Sequence, residues 1–219
     1  MPVLMPTTGI ASVDKFELEY NDSINELTSG AAFADEIAPP FWDISMQTSN
    51  LTVQSGRYRV WRSFIDSLRG SKRAAFFYDP KKPYPSAYPD GIGGMVIAGT
   101  ATTFTGDAVI QTIVNRTKFD INGVPAGFKL QASDYVSFME DDQASLHRLI
   151  ADGTANGAGE VEINVEPRVP LAYSSAAVVR FVRAPMLGII QGTPQDSHDI
   201  ESGKISFKAR SVVIWGGGV

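Results

Sequence analysis

The sequence predicts a mainly β chain with one α-helix, on three observations. Short apolar–polar alternations recur along most of its 219 residues. One stretch, from Tyr58 to Leu68, abandons that period and repeats every three to four residues. Clusters of proline and glycine then divide the strand pattern into blocks.

Trp42, Ile44 and Met46 alternate with Asp43, Ser45 and Gln47, the period of two that a half-buried strand requires. Tyr58, Trp61, Phe64, Ile65 and Leu68 fall on one face of a helix, with Arg59, Arg62, Asp66 and Arg69 opposite. Ser55 is placed to cap its start, and Gly70 to supply the left-handed residue after its end. The aromatic stripe reads as core packing with Trp61 at its centre. Residues 74–78, 108–114, 128–130, 135–138 and 176–182 are further candidate strands. Residues 146–150, and Val161, Ile163 and Val165 alternating with polar neighbours, read as a hairpin around a long loop at 151–159. A last strand spans 204–215, where Ile205, Phe207 and Ala209 alternate with Ser206, Lys208 and Arg210.

Two seams interrupt this pattern. The first, residues 79–106, carries Pro80, Pro83, Pro85 and Pro89 and then Gly91, Gly93, Gly94, Gly99 and Gly106. The second, residues 184–203, carries Pro185, Pro194 and a polar run at 196–199. Between them lie about eighty residues of strand pattern, enough for a small barrel.

Composition narrows the function. Apolar residues make up 43% and charged residues 20%, which supports a buried core. The net charge of −5 argues against a chain whose main work is gripping nucleic acid. The absence of cysteine excludes disulfides, thiolate metal sites and cysteine nucleophiles. No run approaches the length of an apolar membrane span, and the first ten residues show no secretion pattern, so the expectation is a soluble protein made in a cytoplasm.

Charge is unevenly distributed. Residues 1–54 hold eight acids against Lys15 alone, whereas residues 55–82 hold eight bases against Asp66 and Asp79. Two readings stand: complementary faces on a self-assembling subunit, or two surfaces that neutralise each other within one monomer.

Motifs of chemistry are few. The Gly-Ile-Gly-Gly at 91–94 lacks the third glycine of a dinucleotide fingerprint, and no phosphate-binding loop or G-x-S-x-G occurs. Residues 152–157 (Asp-Gly-Thr-Ala-Asn-Gly) open like a calcium loop, but Ile163 stands where the bidentate Glu belongs; a hairpin turn explains the same residues. Glu140, Asp141 and Asp142 are half of an acid pair or a solvated loop. His147 sits in a strand pattern and His198 in a loop. Tyr84, Tyr88 and Tyr173 are loop aromatics that either stack on sugar rings or pack on their own domain. No catalytic residue, metal ligand or cofactor is expected.

The order of features resembles a known family. A strand at 41–48, a helix carrying "WRSFIDSLRG" at 61–70, and then "FFYDP" at 76–80 before a proline-rich loop look like the distal tail proteins of long-tailed phages and gene transfer agents. "LQASDYVSF" (130–138) and "LHRLIADGTANGAGEVEINVEPRV" (146–169) are similar to their second domain. The likeness covers roughly residues 40–190 and rests on pattern and order, with no signature of functional residues. It implies a β-sandwich belt domain with one α-helix, assembled from residues 1–95 and a closing strand in 187–219. A small β-barrel of the OB-like type would be inserted at 96–186. It further implies a virion protein of the tail tip that forms a homo-oligomeric ring, six-membered in the family, assembled in the host cytoplasm. Its partners would be the tail tube protein and the tip or hub protein below the ring; genome DNA would pass through without specific binding, and no membrane insertion is implied. The rival reading is a carbohydrate-binding module for host-surface attachment, and a small hydrolase ranks last.

Overall fold

The computed structural model describes residues 2–26, 32–52, 56–198 and 202–212, with their side chains except those of 11, 24–26, 32–36 and 198. In chain order the first half holds β1 (Val3–Leu4), β2 (Ile10–Glu26), β3 (Ala32–Thr48), β4 (Leu51–Thr52), α1 (Gly56–Ser67), a 3-10 turn (Gly70–Lys72) and β5 (Ala75–Phe77). The second half holds β6 (Asp107–Ile113), β7 (Lys118–Asn122), β8 (Lys129–Leu130), β9 (Tyr135–Glu140), β10 (Gln143–Leu149), β11 (Gly153–Thr154), β12 (Val161–Glu166), β13 (Val178–Arg180), β14 (Met186–His198) and β15 (Ser202–Ser211). The chain is mainly β with one α-helix, as the alternation predicts.

Two compact units divide it. A sheet unit combines Thr8–Lys72 with Ile189–Val212, and a barrel unit combines Met1–Thr7 with Arg73–Gly188. The boundaries read from sequence fell at 95/96 and 186/187. The proline-rich seam belongs with the barrel for a packing reason: Ile92 is a member of the barrel core, and the Tyr88 ring stacks on Phe128 with centroids 4.9 Å apart.

In the sheet unit the strand order is β14-β15-β3-β2, with β4 on the far end of β15. β15 pairs antiparallel with β3 from Ser206↔Gln47 to Arg210↔Asp43, and β3 pairs antiparallel with β2 along most of its length. Trp42, Ile44, Met46, Ile205, Phe207 and Ala209 all point inward, so the alternation of both strands does what it predicts. The helix covers that face with Tyr58, Trp61, Phe64 and Ile65. Close approach has a requirement at Gly203, where a Cβ would overlap the Tyr58 ring.

Trp61 is fully buried, donates its indole N–H to the Thr8 carbonyl at 2.7 Å, and lies 5.9 Å from the Phe207 ring. The predicted cap at Ser55 lies outside the described residues. At the other end the left-handed turn begins one residue before Gly70: Arg69 has φ 51° and Gly70 φ 70°.

In the barrel unit six strands close in the order β10-β12-β7-β6-β13-β9. Phe119, Phe128, Phe138, Ile121, Val136 and Val179 fill the interior. The hairpin expected between 146–150 and 161–165 is the β10–β12 pair, registered at Arg148↔Glu166 and Leu149↔Val165. Its long loop contains β11, which pairs with β8. Beside the barrel, β1 runs parallel to β5, and β5 pairs with the start of β14 at Met186↔Phe77.

Among the longer strands, β2, β7 and β14 are not legible in the sequence, nor are the two-residue strands β1, β4 and β11; the second seam is in fact β14, thirteen residues long. Met186, Leu187 and Ile190 bury its first part, while Gly192, Pro194 and the polar residues after them gave it the look of a loop.

Candidate assembly surface

The side chains that sequence analysis weighed for chemistry are used by the barrel itself. The Glu140 carboxylate accepts from the Ser174 amide at 2.7 Å and from its hydroxyl at 2.6 Å, bonds that hold its pKa below the ordinary carboxylate value. Asp141, at φ 52°, makes the tight turn between β9 and β10. Asp152 Oδ1 accepts from the Ala132 amide, and Asn156 Oδ1 accepts from the amides of Ala158 and Glu160. The stretch that opens like a calcium loop thus turns these oxygens onto protein backbone.

His147 is completely buried on β10. Its Nδ1 lies 2.6 Å from the Pro167 carbonyl oxygen and must carry the proton there, and its ring stands edge-on to Phe138 at 5.3 Å. Burial lowers its pKa to about 4, so the ring is neutral near pH 7. His198 ends β14, and its side chain lies outside the described ones.

The tyrosines are packed rather than displayed. Tyr173 is 4% exposed; Tyr88 lies flat on Phe128, and its hydroxyl accepts from the Lys129 amide at 2.8 Å. Tyr84 is half-buried over Gly91. Of the two readings of these aromatics, packing on their own unit is the one the structure gives for Tyr88 and Tyr173.

Unused chemistry collects on the sheet unit. One arginine of α1, Arg62, is committed: its Nη1 meets Asp196 Oδ2 of β14 at 2.8 Å and its Nε meets Asp66 at 3.3 Å. Tyr58 also donates to Asp196 Oδ2 at 2.8 Å, and burial raises the pKa of that phenol first of all. Arg57, Arg59 and Arg69 remain exposed, and Val60 between them is 54% exposed. Beside the first turns of α1 lies an open groove of about 570 Å³, lined by Thr8, Leu51, Thr52, Arg57, Val60 and Trp61.

The outer face of the sheet has the opposite sign. Glu17 on β2 stands directly opposite Asp43 on β3, and Arg210 stands opposite Asp43 from β15. Lys15 reaches Asp43 at 2.8 Å and also pairs with Glu19. Among the described residues, no ion pair joins the acids of β2 and β3 to the bases of α1. No protein-family model matches the chain, and no curated protein does so either.

Proposed function

We propose that the chain is a structural subunit of a phage tail tip that assembles into a ring, of six copies as in the distal tail proteins it resembles. In that role it joins the tail tube to the hub below and carries out no reaction of its own. Its partners are further copies of itself, the tube protein and the hub protein, and genome DNA passes through the ring without sequence-specific contact. The observation that carries this reading is the order of segments. A sheet unit with one helix is built from both sides of the sequence, Thr8–Lys72 and Ile189–Val212, and a closed barrel is held in the segment between them. That arrangement fits a unit that forms a ring and a second unit displayed from it.

Electron microscopy and native mass measurement of the purified protein test the reading together. Closed rings of uniform copy number are expected at micromolar concentration. A monomer at every concentration would refute it and return attention to a free-standing binding module.

A further inference from the structure

We infer that Asn122 is a site of slow self-modification. Its side-chain amide closes onto the Gly123 nitrogen, and water opens the resulting ring to aspartate or isoaspartate. This chemistry needs no partner copy and stands apart from ring assembly.

The chain holds two Asn-Gly pairs, Asn122-Gly123 and Asn156-Gly157, both in the barrel unit. Such a pair is chemically poised, because glycine has no Cβ to block the approach of its nitrogen to the preceding side chain. The Gly123 nitrogen gives up its proton and bonds to Cγ of Asn122, and Nδ2 leaves as ammonia. Water then adds at either carbonyl of the five-membered imide. Nothing is oxidised or reduced, and the product carries one more negative charge.

The two pairs differ in how the asparagine is held. Asn156 is exposed but tied at both ends of its amide. Its Oδ1 accepts from the amides of Ala158 at 2.9 Å and Glu160 at 3.0 Å, and its Nδ2 donates to Glu160 Oε2 at 2.9 Å. Its backbone is closed as well: its own N–H donates to the Glu160 carbonyl at 2.9 Å, and its carbonyl accepts from Gly159 at 3.0 Å. Turning Cγ onto the Gly157 nitrogen would break all three side-chain bonds.

Asn122 has no such restraint. It is the last residue of β7, and its side chain makes no hydrogen bond among the described residues. Gly123 lies past the end of both ladders of β7, which stop at Val109↔Asn122 and Val161↔Ile121. Its φ is 84°, and a Cβ built there would meet only Val109 Cγ2, at 4.0 Å. The imide therefore has room to form. Exposure runs the other way, with Asn122 half-buried and Asn156 open to water, so restraint and exposure predict opposite sites.

The Asp-Gly pairs at 90–91 and 152–153 are slower by their chemistry, since an ionised carboxylate is a poor electrophile. They are also held: the Gly91 amide donates to the Tyr88 carbonyl at 2.9 Å, and Asp152 Oδ1 accepts from Ala132 at 2.7 Å.

The change reaches the core. Isoaspartate lengthens the backbone by one carbon just before Val124, which is fully buried. The Val124 carbonyl accepts from the Ala98 amide at 3.2 Å and lies so close to Gly159 that a Cβ there would overlap it. A longer link at 122–123 must disturb both contacts.

Peptide mass mapping of the full chain, kept for days in a warm, mildly alkaline buffer, tests the site. Conversion at Asn122 is expected to be at least tenfold faster than at Asn156, with isoaspartate and aspartate both formed. In guanidinium chloride, where the restraining bonds are gone, the two sites are expected to react at similar rates. The converted chain, separated by its added charge, is expected to melt below the unconverted one. Conversion that is absent at Asn122, equal at the two sites or faster at Asn156 in the folded chain would overturn the inference. So would a rate ratio that survives unfolding, or a converted chain that melts with the unconverted one.

Discussion

The barrel unit and the sheet unit meet the same problem, a mainly β chain in water, in opposite ways. Six strands of the barrel close on themselves, so its ladder has no edge, and its aromatic core is sealed by Tyr88 and Ile92 from the preceding loop. Its polar side chains follow suit: Glu140, Asp152 and Asn156 accept from the barrel unit's own backbone. The sheet unit ends in an open, bulged strand, carries Glu17 opposite Asp43, and leaves Arg57 and Arg59 of α1, and Arg69 just after it, without ion pairs among the described residues. The first unit satisfies its backbone and its charges internally; the second leaves an edge strand open.

Separating the units gives the largest expected effect. A fragment of residues 73–188 should unfold cooperatively with a β spectrum. A fragment of residues 8–72 should remain unfolded, because the inner residues of β3 and α1 lose Ile205, Phe207 and Ala209 of β15. Cutting instead at 96–186 removes Tyr88 and Ile92 from the barrel core, and the shorter fragment should melt well below the longer one. A stable 8–72 fragment would break the comparison outright.

Next in size is the helix anchor. Trp61→Ala removes a fully buried ring and the indole bond to Thr8, at a cost of about 3–5 kcal/mol. For a unit of this size that lowers the melting temperature by more than ~12 °C. The loss should fall on the sheet unit alone, visible by calorimetry as one shifted transition beside an unshifted one. A melting curve within a degree or two of wild type would mean that the indole contributes little to the core.

How much of this was readable beforehand follows from local regularity. β3, β15 and α1 announce themselves because their buried residues keep a constant period. β2 hides: an extra residue at Asp14 puts its inward Val13 and Phe16 three apart, and the surrounding acids resemble a solvated surface. β14 hides because only its first part is buried, and the pairing that holds the rest is not written in its own side chains. The charge asymmetry was legible as a count. Which acids oppose which depends on register, and register is a property of two strands together.

Acid should separate the units a third way. Burial holds the His147 pKa near 4 in the folded barrel, against 6.5 for the ordinary side chain. The unfolded chain therefore binds the proton first, and this contribution is intact above about pH 6.5 and lost as pH falls toward 4. At 1.36 kcal/mol per pH unit the loss reaches roughly 3 kcal/mol, and it should flatten below pH 4. His147→Leu should weaken the barrel at neutral pH, by stranding the Pro167 carbonyl, yet remove most of the slope between pH 6.5 and 4. An unchanged slope in that variant would assign the acid sensitivity to other groups.

Salt gives the smallest effect and the sharpest contrast. Exposed charge pairs contribute only about 0–1 kcal/mol each, but a ring repeats every one of them at each interface. Raising ionic strength from about 50 to 500 mM shortens the Debye length from ~14 to ~4 Å. The barrel, held by apolar packing and a closed ladder, should keep its melting temperature within a degree or two. Association through the sheet unit should weaken severalfold over the same range, read as a falling ring fraction in sedimentation at fixed protein concentration. Both quantities come from one titration, so each controls the other. A ring fraction that stays level while the barrel melting point moves would invert the comparison, placing the salt-sensitive contacts inside the barrel unit and apolar contacts between any associated copies.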